Sequence, residues 1–205
     1  MPRTKEQNER RRSDRRHAIL QVAITLFAEQ GFLQTTTSQV AECAGVSHGT
    51  IFHYFPTKEA LFRAAVLERA AAFERQLAVI DIRERRPVER IKDLVATQIL
   101  TAVQERSYLR LTQYVVSQPA RFPDLAHELS DFVDRFCRRL AAVVEEGQQC
   151  GELASGGAFE IALCYFCYLN GVALIILGDE PSSPLWNDVI RNAVRIFGPC
   201  EAVKT

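Results

Sequence analysis

Apolar side chains recur at three- and four-residue intervals through nearly the whole chain, and no useful stretch alternates with the period of two that a half-buried strand requires. Ile19, Ala23, Leu26 and Phe27 form a stripe that predicts a helix from about Asp14 to Gln30, ended by Gly31. A long helix beginning at Thr57 carries Leu61, Phe62, Ala65, Val66, Phe73, Leu77 and Ile80, until Arg83-Glu84-Arg85-Arg86-Pro87 breaks the pattern. Pro87 suits the first turn of the next helix, with Ile91, Leu94, Val95, Ile99 and Val103 on one face. Further helices are expected from about Ser107 to Ser117, Asp124 to Gln149, Ala158 to Leu177 and Leu185 to Phe197. The fold class is all-α with about nine helices. The segment Ala158 to Leu177 is apolar nearly all round and must be covered on every side.

The most specific local signal lies between Thr36 and Lys58, TTTSQVAECAGVSHGTIFHYFPTK from Thr35 on. Thr36 with Gln39 three residues later has the form of a capping box opening a short helix. Gly45 supplies the left-handed turn that ends it. Ser47 then caps a second short helix whose inner face is Ile51 and Phe55, and Pro56-Thr57 stops it and caps the next. Two helices joined through a glycine turn make a helix-turn-helix, the second of which enters a DNA major groove. Its outward residues are Ser47, His48, Gly49, Thr50, His53 and Tyr54.

From Arg16 through Phe62 the chain resembles the DNA-binding domain of TetR-type transcriptional regulators. The resemblance rests on Ile19, Ala23, Leu26-Phe27, Gly31-Phe32, Thr36-Thr37, Val40-Ala41, Ala44 to Ser47, Gly49 to Phe52, Phe55, Lys58-Glu59 and Leu61. It implies a domain at 16–62 and a helical ligand-binding and dimerisation domain at 63–205. It also implies that Thr37 and Lys58 meet phosphate, that Thr50 and Tyr54 line the groove, and that Ser38, His48 and Gly49 stand where base contacts occur. Phe52 departs from the pattern, because the family usually has a tyrosine there whose hydroxyl reaches phosphate. The implied partners are a palindromic double-stranded operator, a second copy of the chain, paired through Ala158–Leu177 and Leu185–Phe197, and a small-molecule effector. Release by that effector, and repression rather than activation, follow from the resemblance alone.

Charge changes the picture in one place. Residues 1–63 hold nine Lys/Arg against six Asp/Glu, and the remaining residues sixteen against nineteen, so the overall charge of zero is divided unevenly. Most of the excess lies in residues 1–15, read as a basic, disordered arm suited to phosphate. The chain opens on no apolar leader, and its longest apolar stretch, Ile161 to Leu177, is shorter than the roughly 20 residues of a membrane span. A cytoplasmic protein without membrane attachment is expected. The six cysteines are scattered, and Cys164-x-x-Cys167 has no second ligand pair nearby, so buried, inert thiols are expected, with no metal and no cofactor.

An enzyme is not expected, since His127 is the only histidine after Tyr54 and no nucleophile–base pairing is evident. For a ligand pocket the candidate lining residues are Gln98, Tyr108, Gln113, Tyr114, Phe136, Tyr165 and Asn170. No carboxylate cluster or buried basic group shows in the C-terminal pattern, so a mostly apolar or aromatic ligand is expected. The rival reading keeps DNA binding without ligand sensing.

Overall fold

In the computed structural model, which describes residues 5–81, 83–175 and 183–198, every described element is helical. Helix α1 spans Lys5–Gln34 and is broken at Gly31, whose φ of 76° no helix contains. Then come α2 (Thr37–Cys43), α3 (His48–Tyr54) and α4 (Lys58–Gln76), the last tightening into a 3-10 turn at Leu77–Asp81. Helices α5 (Pro87–Gln104), α6 (Arg106–Val116), α7 (Pro123–Gln149), α8 (Ala158–Ile175) and α9 (Leu185–Arg195) complete the chain. The all-α expectation and its nine helices hold among the described residues. None of these helices is long and apolar enough to cross a membrane.

Two hydrophobic clusters organise the molecule. One joins the 3-10 turn to α5, α7, α8 and α9 around Ile91, Leu94, Phe136, Leu140, Tyr165, Trp186 and Phe197. The other gathers α1 to α4 around Leu20, Phe27, Val40, Ile51, Leu61 and Phe62, but also takes in Leu111, Val115, Leu125 and Leu129 from α6 and the start of α7. The boundary expected between residues 62 and 63 therefore does not coincide with a break in packing. Helix α4 runs on past it, and α6 lies against α1 and α4. An aromatic group seals this junction: Phe62 meets Phe27 at 5.0 Å, Phe32 at 4.9 Å is close by, and Phe122 stands 5.1 Å from Phe62.

Several expectations need correction. Residues 5–15, expected to be disordered, belong to α1 as further helical turns; residues 1–4 lie outside the described part. The cysteines are not uniformly buried. Cys137 is, and burial pushes its thiol up to about 11, whereas Cys43, Cys150, Cys164 and Cys167 are exposed and Cys200 lies outside the described residues. On α8, Cys167 faces the cavity between α5, α6, α7 and α8, and Cys164 stands beside exposed Leu163 on a face that no other described helix covers.

A buried basic group does exist. Arg90 is 1% exposed, donates 2.9 Å to the Ile80 carbonyl and pairs with Glu146, tying the end of the 3-10 turn to α5 and α7. Glu128 pairs with Arg63 and so bridges α7 to α4. Leu111 is fully buried in the shared cluster. Leu111→Ala is expected to cost about 2–5 kcal/mol, and a fragment ending at residue 69 should show no cooperative melt by circular dichroism. A sharp transition for that fragment would show that the reading head folds without α6.

Candidate nucleic-acid interface

The reading head is built by local capping. Thr36 accepts from the Gln39 backbone N–H at 3.2 Å while Gln39 Oε1 accepts from the Thr36 N–H at 2.7 Å, the reciprocal pair that starts α2. Gly45 holds φ at 63°, and Ser47 accepts from the Thr50 N–H at 3.2 Å to start α3. Ile51 is fully buried and Phe55 nearly so, which fixes the helix by its inner face. The outer face carries Ser47, His48, Gly49, Phe52 and His53, all exposed, with Ser38 exposed on α2.

The predicted contact residues differ in how free they are. Ser47 and Thr50 share a hydroxyl–hydroxyl hydrogen bond of 2.8 Å, so both serve the cap, and Thr50 presents its methyl. Thr37 Oγ1 lies 3.0 Å from His48 Nε2, and the His48 ring stands edge-on to Phe52 at 4.9 Å. The residue assigned to phosphate and the residue assigned to bases are thus one linked unit across the two helices. Tyr54 is half-buried, its ring 5.2 Å from His53. Lys58 donates to the Leu33 carbonyl at 3.2 Å and sits 4.5 Å over the Phe32 ring, which places its ammonium on the turn after Gly31. Arg16 is held between Glu68 at 3.3 Å and the Phe55 ring.

A second feature lies away from this face. A cavity of about 460 Å³ opens between α5, α6, α7 and α8. Four of the expected residues line it: Gln98, Tyr108, Gln113 and Asn170. Tyr114, Phe136 and Tyr165 do not. Tyr114 turns to Gly31 and accepts the Phe32 N–H at 3.3 Å; Phe136 sits in the core against Phe73; Tyr165 lies behind Gln98, donating to its Oε1 at 2.8 Å. The sequence reading missed Phe73, Thr101, Glu105, Leu109, Thr112, Val116, Phe132, Val133 and Phe166 in the wall. On α6 the signal was available: Leu109, Thr112 and Val116 follow Tyr108 at helical spacing on one side, and Glu105 precedes it by three. Among the described residues no group of three or more His, Cys, Asp or Glu could hold a metal.

Comparison with known proteins settles the family. The family described as "Bacterial regulatory proteins, tetR family" matches residues 19–65, and "AefR-like transcriptional repressor, C-terminal domain" matches residues 93–200, more than half of the chain. The protein belongs to the TetR family. It is a DNA-binding transcriptional regulator and not an enzyme. Among relatives, the HTH-type transcriptional regulator RutR of Escherichia coli O157:H7 is 28% identical over 145 residues, 66% of this chain; the chain spans 65% of that regulator's length. The fatty acid metabolism regulator protein of Bacillus subtilis is 25% identical over 139 residues, 67% of this chain and 70% of its own. The solved structure of AibR in complex with isovaleryl coenzyme A and operator DNA superposes with a TM-score of 0.69 at 19% identity, covering 90% of this chain and 99% of that one.

Two substitutions test the TetR-type placement of α3. A Cβ added to Gly49 would meet only the Ser47 hydroxyl, at 4.0 Å, so the fold itself does not require glycine there. Gly49→Ala should leave the melting temperature unchanged or raise stability by up to about 1 kcal/mol, yet weaken operator binding by blocking close backbone approach. Unweakened binding in a titration would remove Gly49 from the interface. Phe52, 42% exposed, faces outward where a hydroxyl could reach phosphate. Phe52→Tyr is expected to tighten binding by about tenfold, one charge-assisted hydrogen bond, equally on all DNA sequences. Unchanged or weaker affinity would count against the placement.

Proposed function

We propose that the protein is a homodimeric repressor that occupies a palindromic operator through α3 and leaves it when a small, mostly apolar ligand fills the cavity. The observation that carries this reading is the position of Tyr108. Its ring lines the cavity from α6, and its hydroxyl donates 3.0 Å to the Val66 carbonyl on α4, the helix that continues into the reading head. A ligand pressing on α6 therefore acts on α4 through a side chain it touches. Two α3 helices must stand about 34 Å apart to enter successive major grooves. A ligand favouring another spacing releases DNA by reciprocal coupling.

Support for the dimer comes from α8 and α9, where Leu163 and Leu185 are exposed beside a large apolar core. Isologous pairing of these faces would cover them and place the two reading heads on one side. Arg10, Arg11, Arg12 and Arg15, exposed on the first turns of α1, supply phosphate contacts beyond α3, and Ser38, His48 and His53 the contacts in the groove. An apolar ligand fits a wall of phenylalanine, leucine and valine. The names of two similar proteins point the same way: one is a fatty acid metabolism regulator, the other was solved with an acyl coenzyme A. A cytoplasmic location fits such a role.

The test is a mobility-shift titration on an operator selected from random DNA, run with a panel of hydrophobic compounds. Wild-type protein should be released by at least one compound that binds it. Tyr108→Phe should bind that compound about equally but need roughly three- to tenfold more of it for release, the worth of one hydrogen bond. Should every bound compound leave the operator occupied, the protein is a constitutive DNA-binding protein and sensing is wrong.

A further inference from the structure

We infer that the ligand of this cavity is a neutral molecule whose apolar body carries a carbonyl-type acceptor, met by the Nε2 hydrogens of Gln98. This rests on the reading of the cavity as an effector site and adds the chemistry the effector must have.

Gln98 lies on the inner stripe of α5, fully buried, and forms part of the cavity wall. Its Oε1 accepts from the Tyr165 hydroxyl at 2.8 Å, while its Nε2 has no partner. Tyr165 is itself fully buried, and burial pushes its hydroxyl's pKa well up, so it remains a neutral donor. Turning the amide over would leave both the hydroxyl hydrogen and the amide oxygen unmatched, so Tyr165 fixes the amide with its N–H groups unpaired. Nε2 exposes almost no surface, so a ligand oxygen must part the side chains over it; a buried donor without an acceptor is costly, and that oxygen relieves it.

The neighbouring polar groups make the donor distinctive. Tyr108 donates to Val66, Thr101 to the Thr97 carbonyl at 2.8 Å, Thr112 to the Leu109 carbonyl at 2.9 Å and Asn170 to the Phe166 carbonyl at 2.8 Å. Each commits a donor to backbone, Gln113 in the same wall is exposed to solvent, and the buried amide of Gln98 has neither outlet. Charge narrows the class further. Among the described lining residues there is one carboxylate, Glu105, and no lysine, arginine or histidine. A carboxylate or phosphate inside would be desolvated without a counter-ion and would share the cavity with a like charge. Ketones, esters, lactones and amides satisfy Gln98 without that penalty.

The experiment uses the full chain and four probes of equal chain length: 2-octanone, 1-octene, octanoate and octyltrimethylammonium. Binding is measured by calorimetry and operator release by mobility shift on the same samples. The ketone should bind about tenfold tighter than the alkene and octanoate. Gln98→Leu should bring ketone and alkene to within about twofold. Tyr165→Phe frees the amide to turn and should shrink the ketone's advantage to about threefold, which keeps the test open if Gln98→Leu does not fold. Equal affinity for ketone and alkene, tighter octanoate, or a preference that survives Gln98→Leu would overturn the inference. A preference for the ammonium would also overturn it, moving the anchor to Glu105. Release of the operator by other compounds with no binding of the ketone would overturn it while leaving sensing intact. Selective ketone binding with no operator release would do the reverse.

Discussion

The molecule turns on α6, an eleven-residue helix packed on two of its faces. Leu111 and Val115 on one face are fully buried in the cluster that holds the reading head together. Leu109, Thr112, Gln113 and Val116 on the other face form a wall of the cavity. Tyr108 belongs to both, with its ring at the cavity and its hydroxyl on α4. A helix packed on two sides cannot shift to suit one neighbour without disturbing the other, because close-packed interiors transmit displacement rather than absorb it. The reading head and the cavity are joined by packing, not by a flexible linker.

The reading head shows how little of a short helix is available for recognition once it has been built. Seven residues make α3, and Ser47 and Thr50 secure its start with their side chains. Lys58 is drawn to the carbonyl at Leu33 by the turn after Gly31. What stays uncommitted is a bare backbone at Gly49, the His48–Thr37 pair, His53 and Ser38. Such a face offers no arginine fork for guanine, so the basic turns at the start of α1 carry more of the proposed affinity than the helix does. That arrangement separates attachment from sequence preference.

The parts of this architecture governed by neighbours in sequence could be read in advance. The caps at Thr36 and Ser47, the turn at Gly45 and the stop at Pro56 each join residues one to four apart, and the structure has them all. Features set by distant contacts could not be read this way. Periodicity placed Tyr108, Tyr114, Phe136 and Tyr165 on inner faces, but inner faces look onto cavities, domain junctions or solid core alike, and only the tertiary packing distinguishes them. Arg90 left a trace: it sits beside Ile91 on the stripe of α5 that continues to Leu94 and Gln98, a charged residue where apolar ones recur. The charge that accommodates it, Glu146, is 56 residues away. Packing across the expected domain boundary was hidden for a similar reason, since the helices completing the first core follow α5 in the chain.

Helix α8 explains why a ligand would move α6 rather than the opposite wall. Tyr165 and Leu169 anchor α8 in the core, Phe166 and Asn170 face the cavity, and Leu163 and Cys164 stand exposed. With a second copy seated on that exposed face, as proposed, α8 is gripped from two sides by apolar packing, and its hydrogen bond from Tyr168 to the Val189 carbonyl ties it to α9 as well. Helix α6 is held on the first core and by the hydroxyls of Tyr108 and Tyr114. A ligand that needs more room therefore meets the stiffer wall at α8 and the more compliant one at α6. The direction of least resistance leads through Tyr108 and Tyr114 to α4 and to the turn at Gly31, two of the places where the reading head is attached.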